Sequence, residues 1–169
     1  AGCADAVITS GGVSVGEADH TKRVMAELGD VLFWRIAMRP GRPMAIGRIG
    51  TTTSQAILFG LPGNPVAVMV TFYAFVRDAL LCMAGAAPQA LPLLRAAAAA
   101  PMRKKPGRTE FQRGIVGRGT DGQWQVTITG AQGSGILRSM SQANGMVLLH
   151  HGQGNVAAGD LVDVIPFNG

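Results

Sequence analysis

Residues 66 to about 83 would form a helix that is apolar on nearly every side, and a helix of that kind must be covered by other structure. Asn64 and Pro65 open it, a capping side chain followed by proline at the first helical position. Upstream, residues 4–9 are a short apolar run ending at Ser10-Gly11-Gly12, which reads as a buried strand entering a glycine loop. Residues 20–28 read as a helix, with Asp19 available as its cap, Val24, Met25 and Leu28 on one apolar face, and Gly29 as its stop. Residues 31–38, 44–49 and 57–60 are strand candidates, the first two separated by Pro40-Gly41-Arg42-Pro43. Strands alternating with helices predict an α/β layer, and its sheet supplies the cover that the apolar helix needs. Few strands and two helices make this the latter half of a doubly wound domain, so further sequence is expected upstream.

The pattern changes after residue 85. Residues 85–101 contain Pro88, Pro92 and an alanine run at 96–100, and predict a linker over 87–100, an alanine-rich helical turn being the alternative. Residues 109–118, 124–129, 145–150 and 161–165 are each short and β-prone, with Asp121-Gly122 suited to a hairpin turn. The expected organisation is an α/β part over 1–86 and an all-β module of barrel type over 101–169. With 47% hydrophobic positions in 169 residues, global disorder is excluded. The longest apolar stretch, residues 66–76, meets Arg77 and Asp78 before the roughly 20 residues a bilayer span needs, so no membrane is expected. Cys3 and Cys82 have neither disulfide nor metal spacing, and a cytoplasmic location is the expectation.

Charge is unevenly placed. No acid lies between Asp30 and Asp78, an interval holding Arg35, Arg39, Arg42, Arg48 and Arg77, and seven bases lie from Arg95 to Arg118 against Glu110 alone. Such segments invite an anion. Nucleic acid is not the expected one, because 5% of residues are aromatic and no nucleic-acid-reading signature is present.

The loop Thr9-Ser10-Gly11-Gly12-Val13-Ser14-Val15-Gly16 offers backbone N–H groups and the Ser10 and Ser14 hydroxyls to a phosphate, though a tight strand-to-helix turn needs glycine in any case. Leu61-Pro62-Gly63-Asn64-Pro65 is a second such junction, either a plain cap or an anion site. Glu17 and Asp19 are placed for magnesium, with helix capping the rival role of Asp19. Arg35 and Arg39 differ by an even number, so on one regular strand they share a face and present two guanidinium forks to one oxyanion. Solvated surface charge is the alternative. In the β part, Arg113 and Ser134 lie on glycine-flanked segments, whereas Arg103-Lys104-Lys105 reads as a solvated turn and His150-His151 as incidental.

Taken together and in order, residues 5–19 (Asp5-Ala6-Val7-Ile8-Thr9-Ser10-Gly11-Gly12-Val13-Ser14-Val15-Gly16-Glu17-Ala18-Asp19), the strip 34–43, residues 61–66 and residues 107–114 resemble one family, the molybdopterin molybdotransferases that complete molybdenum cofactor. The resemblance runs through nearly the whole chain to Pro166-Phe167-Asn168. It implies that residues 1 to about 86 form the latter half of a molybdopterin-binding α/β domain and that roughly 91–169 form a C-terminal β-barrel. The implied reaction takes adenylylated molybdopterin and molybdate and, with magnesium, yields molybdenum cofactor and AMP. Ser10, Gly11, Gly12 and Ser14 match the pterin-phosphate loop, with Asn64 added as a cofactor contact from the second junction. Asp19 matches a magnesium-site carboxylate, and Arg35, Arg39, Arg113 and Ser134 match the molybdate and catalytic pocket.

Three departures from the family pattern stand out. Arg35 and Arg39 replace lysines of many members, Ala67 replaces a serine, and an upstream acid of the site lies outside this chain, so magnesium held by Asp19 alone would be weak. The resemblance also implies a homodimer in which Arg113 and Ser134 serve Arg39 of the partner subunit, and a molybdopterin adenylyltransferase as upstream partner. The isolated chain is expected to be inactive. The alternative reading is a non-catalytic molybdopterin-binding or scaffold module.

Overall fold

The computed structural model describes residues 2–13, 18–87, 89–130, 132 and 137–167. They divide into two units, one of residues 1–36 and 41–89 and one of 37–40 and 90–169.

The first unit is built on a four-stranded sheet in the order β1 (Ala6–Ser10), β5 (Gln55–Leu61), β4 (Pro43–Gly50), β2 (Gly29–Arg35). Only β1 and β5 run parallel; β4 is antiparallel to both β5 and β2, so the sheet is mixed rather than wholly parallel. Alternate side chains go to opposite faces, as the pleat requires. Ala45, Ile49, Ala56 and Leu58 pack with Val13 and with Met25 of α1 (Ala18–Leu28). Met44, Phe59 and Leu61 pack on the other face with Val76 of the long helix. Gly60 leaves room on the α1 side, where an added Cβ would lie 3.1 Å from Val13 Cγ1 and 3.6 Å from Met25 Cε.

The apolar helix is continuous from Pro65 to Met83, as α2 (Pro65–Thr71), a π turn (Phe72–Val76) and α3 (Arg77–Met83). At 19 residues with mean hydropathy 1.8 it is long and apolar enough to cross a membrane, which corrects the length argument made from the sequence. Within this unit Val66, Ala67, Val70, Thr71 and Val76 of the helix are buried. Cover on nearly every side was too strong an expectation, because Met69, Phe75 and Met83 are exposed. In α1 only Met25 of the expected apolar face is buried; Val24 and Leu28 are exposed.

The second unit is a closed five-stranded barrel. Strands β7 (Thr109–Arg118), β8 (Trp124–Ile128), β6 (Leu94–Ala98), β10 (Leu161–Pro166) and β9 (Gly145–Leu149) pair in that order, and β9 pairs back onto β7. Inward residues alternate along the strands and form one core of Ala96, Ala98, Val126, Val147, Leu149, Val162 and Val164. The Asp121-Gly122 hairpin joins β7 to β8, with Gly122 at φ 76°. The alanine run is barrel rather than linker: β6 pairs with both β10 and β8, and Ala96 and Ala98 fill its interior. A short helix, α4 (Leu137–Ser141), precedes β9.

Candidate functional site

In the first unit the two strand-to-helix junctions lie side by side. Ser10 ends β1 opposite Leu61, the last residue of β5, and the Gly11 N–H donates to the Leu61 carbonyl at 3.0 Å. Gly11 and Gly12 turn the chain at φ 96° and 75°, a region that side chains disfavour. Gly63 lies so near that an added Cβ would come within 3.4 Å of Gly11 Cα. The turn stands at the C-terminal ends of the parallel pair, the place where α/β sheets bind ligands. Ser10 is exposed there.

Ser14 and Glu17 lie outside the described residues, as does the side chain of Asp19, which is in the first turn of α1 rather than ahead of it. Among the described residues no three His, Cys, Asp or Glu side chains group as metal ligands. Asn64 is committed locally. Its Oδ1 accepts from the Val66 and Ala67 N–H groups at 3.1 and 3.3 Å, and its carbonyl accepts from Val68 at 2.8 Å. Since Pro65 has no N–H, the first-turn donors of α2 are used internally. Asn64→Ala is expected to cost about 1 kcal/mol of stability in urea unfolding, and an unchanged midpoint would remove the cap from this account.

The expected cationic strip comes apart. Arg35 is the last residue of β2, opposite Pro43, and is exposed. The chain then leaves the sheet, and β3 (Met38–Arg39) pairs in parallel with β7 of the barrel, Arg39 opposite Glu110. The single strand over 31–38 is therefore two strands in two sheets, and Arg35 and Arg39 share no face. Pro40 lacks the N–H that a continued ladder needs, while the Thr109 N–H closes onto the Ala37 carbonyl at 2.8 Å and Met38 becomes buried.

Arg39 instead lines a cavity of about 380 Å³ in the barrel unit, together with Arg103, Glu110, Gln112, Arg113, Gln132 and the apolar Pro40, Pro101, Met102, Phe111 and Ile128. Arg113 is 1% exposed. Its Nε and Nη2 donate to Ser139 Oγ at 3.1 and 3.0 Å, and Nη1 donates to the Gln132 carbonyl at 3.3 Å. Burial, and then the positive charge of Arg39, hold the Arg113 guanidinium below the usual arginine pKa range. Like charges in one cavity repel until an anion joins them. Glu110 contributes a buried carboxylate, but it accepts from Arg108 Nε at 2.7 Å and Gln112 Nε2 at 3.3 Å. Arg39 and Arg113 thus meet within one copy of the chain, where the resemblance implied Arg39 of the partner subunit. Ser134 lies outside the described residues.

Sequence reading missed Arg103 and Gln132 as lining residues, and it misjudged Lys104. That side chain is buried, its Nζ donating to the carbonyls of Lys105 and Gln153 at 2.8 and 3.1 Å, so it is no solvated turn residue. No local signal announces this, because Gln153 is 49 positions away.

Fold and sites define a two-part protein: an α/β unit with a glycine turn between two strand-to-helix junctions, and a five-stranded barrel with a cavity lined by Arg39, Arg103 and Arg113. Residues 1–81 match the family described as probable molybdopterin binding domain, and residues 95–167 match the MoeA C-terminal region, domain IV. The chain is 43% identical over 166 residues to a molybdopterin molybdenumtransferase of Haemophilus influenzae, covering 98% of this chain and 40% of that protein. It is 33% identical to a gephyrin of Dictyostelium discoideum, covering 95% of this chain and 25% of that one. A crystal structure of a molybdopterin biosynthesis MoeA protein from Pyrococcus horikoshii superposes with a TM-score of 0.72 at 28% identity, over 99% of this chain and 38% of the other. The chain belongs to the molybdopterin molybdenumtransferase family, of whose Haemophilus member it spans about two fifths.

Proposed function

We propose that this chain supplies part of the catalytic apparatus that inserts molybdate into adenylylated molybdopterin, giving molybdenum cofactor and AMP. The observation that carries the reading is the meeting of Arg39 and Arg113 in one cavity through the pairing of β3 with β7. Molybdate is a dianion, and its co-reactant carries pyrophosphate and thiolate charge. Guanidinium groups of Arg39 and Arg103 offset the repulsion, while the buried Arg113 adds field without solvent screening. The Gly12 N–H of the glycine turn and the Ser10 hydroxyl are the donors for the pterin phosphate, the Gly11 N–H being held by the Leu61 carbonyl. Orientation and charge then supply the catalysis with no side-chain nucleophile.

Magnesium, when bound, neutralises charge on the departing phosphate, and Asp19 is the residue proposed to hold it. Ser14, Arg35 and Ser134 remain proposed contacts. A homodimer, a cytoplasmic location and supply of substrate by an adenylyltransferase acting on molybdopterin belong to the same proposal.

The test joins the chain to the upstream portion of the Haemophilus relative and follows AMP release from adenylylated molybdopterin. Release that requires molybdate, and that EDTA suppresses, is expected. Binding of the pterin nucleotide without molybdate-dependent release would overturn the proposal in favour of a scaffold module.

A further inference from the structure

At Arg113 the ladder between β7 and β8 runs out, since β8 ends at Ile128. The Thr129 N–H still donates to the Arg113 carbonyl at 2.9 Å, but the Arg113 N–H is not returned to Thr129. It donates to Gln132 Oε1 at 2.8 Å, while Gln132 Nε2 donates to the carbonyls of Arg113 and Thr129 at 3.0 and 2.6 Å. A side-chain amide thus takes the place of a strand, and it needs both an acceptor and a donor to do so. The main chain of the same residue acts at the far end of the arginine, where its carbonyl accepts from Nη1. Ser139 Oγ accepts from the other guanidinium edge, and the Ser139 carbonyl is tied to Thr129 Oγ1 at 3.0 Å.

We propose that Gln132 is a positioning residue for Arg113: its amide fixes the backbone from which the arginine projects, and its carbonyl, with Ser139 Oγ, fixes the guanidinium aimed at the cavity. This rests on the reading of that cavity as the molybdate site. Arginine has many rotamers, and a guanidinium held at both ends meets its anion with little further ordering.

The experiment is equilibrium dialysis of radiolabelled molybdate against the chain and its Arg113→Lys, Gln132→Ala and doubly substituted forms. Each single change is expected to weaken binding about tenfold, the size of effect that supporting residues exert on anchored ligands. The double variant is expected to bind no more weakly than the weaker single one, because Gln132 acts through Arg113. Losses that multiply in the double variant, or Gln132→Ala binding like wild type beside a weakened Arg113→Lys, would overturn the inference alone. No uptake by wild type, or indifference to Arg113→Lys, would overturn the functional reading itself. If Gln132→Ala loses its near-UV circular dichroism, Gln132→Met, of similar size and with no amide, decides by the same criteria.

Discussion

Arg39→Ala, in the chain joined to the Haemophilus upstream portion, is expected to lower molybdate-dependent AMP release by roughly 10² to 10³, the usual cost of removing one donor aimed at developing or repelling charge. The fold should be untouched, because Arg39 is exposed while its neighbour Met38 makes the buried contact of β3. Arg39→Lys should keep much of the rate, since the charge remains and only the planar fork is lost. The position is sensitive because the cavity holds a second guanidinium, that of Arg113, which cannot move away: Ser139 and Gln132 hold it. Equal rates for Arg39→Ala and wild type would remove the cavity from the chemistry.

A second large effect is expected on stability, from Gly47→Ala. Gly47 faces Val31 across the β2–β4 pair, and a Cβ there would lie 2.1 Å from the Asp30 carbonyl oxygen and 2.5 Å from Val31 Cα. Those are backbone atoms with no rotamer to yield, so β2 must shift away from β4 and take Val31 and Phe33 off the α1-side core. About 3 kcal/mol is expected, the upper end for overpacking. Trp34 lies on β2 and Trp124 on β8, one tryptophan in each unit, so Trp124→Phe leaves fluorescence that reports the α/β unit alone. Gly117→Ala, where an added Cβ meets nothing within 4 Å, is the control. An unchanged urea midpoint for the Trp34 signal would show that the two strands separate at little cost.

What could be read in advance was whatever is encoded within a few residues. Gly11 and Gly12 demand a turn because of their own conformation, Asn64 and Pro65 open a helix by filling its first-turn vacancies, and β7 covers residues 109–118 as its β-prone run predicts. β6 was missed for a physical reason. Alanine favours helices in isolation, and Ala96 and Ala98 are strand residues only because the barrel interior takes small side chains there. Val24 and Leu28 repeat like a buried face, yet only Met25 reaches the sheet. Gly29 stops α1 as its position predicts, but the close approach between strands that it and Gly47 permit has no local signal.

Local chemistry in the chain was enough to settle its division into an α/β part and a β part, the placement of its glycine turns, and the family to which these belong. Tertiary structure alone decided that Arg39 leaves the strand of Arg35 for the edge of β7, and that Arg113 lies buried beside it. The reason is that backbone hydrogen bonds of an extended segment can be satisfied on any open strand edge. Which edge wins depends on the burial of Met38 and its pairing with Thr109, residues far apart in sequence and joined only once the barrel has closed.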